Sequence, residues 1–121
     1  NSEPSLVGAW FVAPSIKKRQ FFVDKFKKNF GRVPTRQASL AYDSTALVVF
    51  LAQRTLGNKK AGVKVFTTKA LTSPSGFSGV DGIFRLLSSG LVERGLAIFK
   101  IEHGGMREID SAPVTFKKLV N

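Results

Sequence analysis

Few residues in this chain have the chemistry for catalysis. His103 is the single histidine, so any Ser-His-acid arrangement would have to use it. It stands beside Gly104-Gly105 in an apparent surface turn, whereas a general base has to be held rigidly by its neighbours. Glu93, Glu102, Glu108 and Asp110 gather in the last third, among Arg94, Lys100 and Arg107. Paired carboxylates can do acid–base work, but on strands such charges more simply offset one another across a ladder. The run Gly76-Phe77-Ser78-Gly79-Val80-Asp81-Gly82 lacks the Gly-Lys-Ser/Thr ending of a phosphate loop. It leads into a strand, so no helix N-terminus would face a phosphate. A tight turn introducing a strand is the simpler reading. The chain has no cysteine, which excludes disulfides, zinc ribbons and thiol nucleophiles. With one histidine and eight carboxylates, no metal site and no cofactor is expected. No catalytic residue is assigned.

The elements that would position these groups follow from hydrophobic pattern and turn chemistry. Gly8–Ala13 is a short apolar run closed by Pro14 and fits a buried strand. Ser15 offers an N-cap to a helix over Ile16–Phe30, with Phe22, Val23, Phe26 and Phe30 on one face and lysines on the others. Gly31 suits the position past its end. Val33-Pro34 breaks the chain, and a second helix is expected from Ala38 to Leu56, ended by Gly57. Its middle is apolar nearly all round, which implies burial on more than one side. Asn58–Lys64 reads as a polar, basic loop, Phe66–Leu71 as a short helix capped by Thr67, and Ser73–Gly76 as a turn. Ile83–Leu86 and a longer Val92–Glu102 read as strands, with turns at Ser88–Gly90 and His103–Gly105 and a return strand over Met106–Ile109. The order is a strand, two helices, then β-hairpins, an α/β arrangement of one segment over residues 1–121.

Hydrophobic residues make up 43% of the 121, enough for a packed core. Eleven phenylalanines against one tyrosine and one tryptophan place most aromatic area in rings without a polar handle, which favour burial. The formal net charge is +11. A basic surface can attract nucleic acid or anionic lipid, but no homeodomain, zinc-finger or RNP-type pattern accompanies it. A basic nucleic-acid-binding module is therefore only a second alternative. The longest apolar run, Ala46–Ala52, is far short of the roughly 20 residues of a spanning helix. The start, Asn1-Ser2-Glu3-Pro4, reads like a cut inside a longer protein.

Two stretches carry a family resemblance. Phe26–Pro34 followed by Ala41-Tyr42-Asp43-Ser44-Thr45-Ala46-Leu47 resembles a passage of type I periplasmic-binding proteins, the fold of leucine/isoleucine/valine-binding proteins. Gly76–Leu86, Gly90–Ile98, then Gly105 and Ile109-Asp110-Ser111-Ala112-Pro113 are similar to the C-terminus of the LppC/LpoA-like penicillin-binding-protein activators. The resemblance runs in order from about Gly8 to Pro113. It implies the C-terminal part of a type I periplasmic-binding fold, in a two-lobed, non-enzymatic periplasmic protein. That protein would be an activator-like lipoprotein touching a peptidoglycan synthase, anchored to the outer membrane through an upstream lipid site. The alternative is a solute-binding protein of an amino-acid ABC transporter, holding a small amino-acid-like ligand. In the relatives the strand-to-helix corner before Tyr42 lines the cleft, so Ser39 and Tyr42 become candidate lining residues, with Asp43 bracing the helix start. The Ser/Thr pair and the carboxylate that anchor ligands in the amino-acid-binding relatives have no counterpart here. A segment of a larger body would also expose Phe-rich surface, which could drive self-association.

Overall fold

The computed structural model describes residues 4–56 and 66–116. Gly57, the Asn58–Lys64 loop and the Lys117-Lys118 tail lie outside the described residues. After a 3-10 turn at Pro4–Leu6, strand β1 spans Trp10–Ala13. Pro14 is buried and closes it. Helix α1 spans Ile16–Phe30, with Ser15 at the N-cap position but making no side-chain cap bond. Gly31 ends the helix at φ 67°, and its N–H donates to the Lys27 carbonyl. Only a residue that enters the left-handed region easily can close a helix in this way.

Helix α2 spans Arg36–Leu56, two residues longer at its start than the apolar pattern predicts. Pro34 disfavours helical geometry at Val33, and the first turn forms immediately after, with the Ala38 N–H on the Thr35 carbonyl at 3.2 Å. Arg36 and Gln37 are good helix formers without apolar periodicity, so hydrophobic pattern alone does not find them. Burial on α2 also differs from expectation. Ser39, Asp43 and Leu51 are buried, whereas Val48, Val49 and Phe50 keep 51%, 47% and 45% of their surface exposed. Among the described residues one side of α2 is covered and its apolar middle is open. The short helix α3, Thr68–Leu71, is capped as expected: the Thr67 hydroxyl accepts from the Ala70 N–H at 3.1 Å.

Two three-stranded antiparallel sheets complete the fold. Strands β2 (Phe77–Gly79), β3 (Gly82–Leu86) and β4 (Val92–Arg94) form one, in that order. Strands β5 (Ala97–Glu102) and β6 (Gly105–Asp110) form the other with β1, in the order β1-β5-β6. Two expectations need correction. The Gly76–Gly82 run is not merely a turn leading into a strand: Phe77–Gly79 is itself a strand, paired with β3 across the Val80-Asp81 turn. The long strand expected over Val92–Glu102 is broken, and its halves belong to different sheets. Gly95 is the break. Its N–H donates to the Ile83 carbonyl at 2.9 Å, and a Cβ there would lie 2.8 Å from Ile83 Cγ1 and 3.0 Å from the Pro113 carbonyl oxygen. The chain therefore turns where only glycine fits.

Phe99 and Ala97 are fully buried and Phe22, Leu51, Ile83 and Phe84 nearly so. Phe11, opposite Phe99 in the β1–β5 register, stacks on it at 5.4 Å. Phe50 reaches from α2 to Phe77, and Phe77 to Phe84, so rings tie the helix to the second sheet. No helix among the described residues is long and apolar enough to cross a membrane.

Phe99→Ala should destabilise the chain by about 3–5 kcal/mol, since a fully buried ring leaves a cavity. Phe21→Ala, at a ring 73% exposed, should change stability by no more than about 0.5 kcal/mol. Urea unfolding of the two variants checks the contrast.

Candidate functional site

Ser39 and Asp43 stand four residues apart on α2 and so share one of its faces. That face meets the turn of the β2–β3 hairpin. The Ser39 hydroxyl donates to Asp81 Oδ2 at 2.7 Å, with the Arg36 carbonyl at 2.9 Å as its other acceptor. Asp43 Oδ1 accepts from the Val80 N–H at 2.8 Å. Ser39, Asp43 and Asp81 are 0%, 3% and 2% exposed. From α1, Arg19 Nη1 approaches Asp81 Oδ1 at 3.8 Å, close enough for charge attraction but too long for a hydrogen bond. Helix α1, helix α2 and the hairpin thus converge on one buried polar cluster.

Gly79 makes the approach possible. A Cβ on it would lie 2.5 Å from Asp43 Cγ, so the carboxyl occupies the space a side chain would need. Burial pushes the Asp43 carboxyl above its ordinary range. The Val80 and Asp81 N–H groups pull it back, the Asp81 charge adds to the rise, and Arg94 opposes it.

Tyr42 is turned about 100° round the helix from Asp43 and has a different setting. It is 46% exposed, with its ring 5.3 Å from that of Phe22. It lines a trough of about 360 Å³ between α1 and α2, floored by Phe22, Phe26, Phe30 and Ala41, with Lys25 and Asn29 also on its wall. The structure therefore brings Ser39 and Asp43 together and separates Tyr42 from them. Ser39 and Asp43 are occupied in holding the hairpin. Tyr42 is the one of the three with substantial exposed surface. An apolar trough with an ammonium, an amide and a phenol around it has the character of a site for a small amphiphile.

Sequence reasoning missed Arg19, Gly79 and Asp81 as partners in the buried cluster. The Asp81-Gly82 pair carried a usable signal, since Asp-Gly between apolar runs marks a hairpin, although the loop falls one residue earlier, at Val80-Asp81, and the tip of a hairpin carries its turn residues to whatever it packs against. The remaining chemistry-bearing groups are spread out. His103 is exposed at the β5–β6 turn. Glu93 pairs with Arg85 opposite it on β3. Glu102 pairs with Arg107 at 2.7 Å, which holds its carboxyl below the ordinary range. Among the described residues no group of three or more His, Asp or Glu could hold a metal ion.

No family profile matches the chain by sequence, and no curated protein does. Among solved structures, one from Rhodospirillum rubrum described as a branched-chain amino acid ABC transporter superposes with a TM-score of 0.68 at 21% identity. The match covers 88% of this chain and 32% of that one. A leucine-binding protein from Thermotoga maritima gives a TM-score of 0.49 at 16% identity, over 95% of this chain and 32% of its own. The chain thus spans about a third of the length of the structures it matches. Its α/β fold, a strand and two helices followed by β-hairpins, is a fragment of a periplasmic-binding-like fold.

Gly79→Ala should destabilise by about 1–3 kcal/mol or more, because its Cβ displaces the Asp43 carboxyl. Ser39→Ala should cost about 1–3 kcal/mol by leaving Asp81 Oδ2 without its donor. Denaturant midpoints at constant pH measure both, and a loss confined to Gly79→Ala would mean that the Ser39 hydroxyl does not hold Asp81.

Proposed function

We propose that the chain is the C-terminal portion of a two-lobed periplasmic solute-binding protein serving an amino-acid ABC transporter. Its ligand is a small amino-acid-like amphiphile, and Tyr42 contributes to the wall that meets it. The observation that carries this reading is the superposition on the R. rubrum transporter structure over 88% of the chain. The exposed apolar middle of α2, at Val48, Val49 and Phe50, fits a segment that packs inside a larger body. The ion pairs of Glu93 and Glu102, the structural use of Asp43 and Asp81 and the exposed His103 fit a protein that binds and does no chemistry.

The penicillin-binding-protein activator reading is the second choice. It rests on the Gly76–Pro113 motif, and packing accounts for key glycines of that motif: Gly79 makes room for Asp43 and Gly95 for Ile83 and Pro113. Those residues serve the fold whatever the fold is used for, so they favour an activator no more than a solute-binding protein. A peptidoglycan synthase partner and an outer-membrane anchor belong to this second reading alone.

Thermal melts of the full-length protein against branched-chain and other amphiphilic amino acids test the proposal. A ligand at 100 times its Kd adds about 2.7 kcal/mol, which moves the melt by several degrees. Tyr42→Ala should weaken that ligand about tenfold or more while leaving the unliganded melt within a few degrees. A flat response across the panel, together with capture of a synthase, would replace this reading with the activator.

A further inference from the structure

Helix α1 has a second face that the trough does not use. Phe22, Phe26 and Phe30 run together along the side that meets α2. Phe21 is turned about 100° from Phe22 and stands apart from them. It is 73% exposed, more than any other large hydrophobic residue among those described. Lys17 and Lys18 come four and three residues before it, and Lys25 and Lys28 four and seven after, so the lysines surround the ring on one helix face. All four are exposed, and none takes part in an ion pair among the described residues. The one acid on this face, Asp24, accepts a hydrogen bond from Gln20 at 2.8 Å.

The lysines decide what can cover Phe21. Lysine is almost never fully buried without a partner, so this face, unlike the apolar middle of α2, is unsuited to packing inside a larger body. A fitting partner takes a bare ring into an apolar layer while four ammonium groups stay in a hydrated, negatively charged zone. A bilayer with anionic headgroups has that layering. The lysine stems lie along its boundary and carry their ammonium groups to the headgroups. A single-stranded nucleic acid would instead draw on successive rings to stack its bases, and the other three phenylalanines of the helix lie on the side toward α2.

We propose that the outer face of α1 docks the protein on an anionic membrane surface, with Phe21 as the anchor and Lys17, Lys18, Lys25 and Lys28 around it. The contact is peripheral: the ring enters the headgroup region and the helix lies along it. Docking does not depend on which ligand the protein carries, since Tyr42 faces the opposite side of α1.

Co-sedimentation of the full-length protein with vesicles tests this, using equal parts phosphatidylglycerol and phosphatidylcholine against phosphatidylcholine alone. Binding should require the anionic lipid and fall steeply as salt rises from about 0.05 M to about 0.5 M. A lysine near an anionic surface strengthens binding about fivefold. Lys17→Gln and Lys28→Gln, neither on the wall of the trough, should each weaken binding by that factor. Phe21→Ala should weaken it about tenfold with an unchanged urea midpoint. Lys69→Gln, which removes the same charge from α3, should leave binding nearly unchanged. An equal loss in Lys69→Gln would mean that net charge alone attracts the membrane and would overturn the proposal. Full binding by Phe21→Ala would overturn it too, as would vesicles left unbound by a protein that holds a single-stranded oligonucleotide.

Discussion

The acceptance of the Val80 N–H by a buried Asp43 carboxyl, in the space left by the missing side chain of Gly79, fixes the position of much else. It joins α2, about two turns from its start, to the tip of a hairpin far along the chain. Once that tip is seated, Asp81 reaches Ser39 and comes within attraction of Arg19, so α1 is drawn to the same point. The rings on either side then fall into contact, Phe22 with Tyr42 and Phe50 with Phe77. A buried polar contact is weak in net energy but strict in geometry. Here it sets which part of the hairpin faces the helix, and the aromatic area supplies most of the driving force.

Legibility in the sequence tracked the range of the interaction. Helix α1 was readable to the residue because its signals are local: a proline, a serine, a phenylalanine stripe and a terminal glycine. Thr67 as the cap of α3 and the turn before Gly76 were readable for the same reason. The start of α2 was displaced because Arg36 and Gln37 carry propensity without pattern. The split between β4 and β5 had only a weak local signal, a glycine inside a strand pattern, and the demand for Gly95 comes from Ile83 and Pro113, which are distant in sequence. At the candidate site, Ser39, Tyr42 and Asp43 were singled out from one stretch of helix, but their separation into a buried pair and an exposed phenol follows from what packs on each side. Their partners Asp81 and Arg19 lie on other elements, and no local rule connects them.

The uneven covering of α2 has the same origin. Its apolar residues encircle the middle of the helix, while the described elements supply packing on one side, through the β2–β3 hairpin and α1. Val48, Val49 and Phe50 are left with about half their surface in contact with water. The basic residues of α1, by contrast, are where solvation favours them, with Lys17, Lys18, Lys25, Lys27 and Lys28 all exposed. Charge on this surface and apolar area on that one are separate features, and only the second bears on how the chain is assembled.

The β1–β5 pairing carries a consequence for how the chain reaches its fold. Trp10 lies opposite Lys100 and Ala13 opposite Ala97, so the first strand waits for nearly the whole sequence before its partner exists. The two helices and the β2–β3–β4 sheet can form from neighbouring segments, whereas the other sheet closes a loop containing all of them. During synthesis β1 emerges well before β5, with Trp10 and Val12 on one side and Phe11 on the other, and the edge that β5 will cover stays open until that strand follows. Strand exchange between nascent copies is the hazard at that stage, and the late arrival of Phe99, the most deeply buried ring, is what ends it.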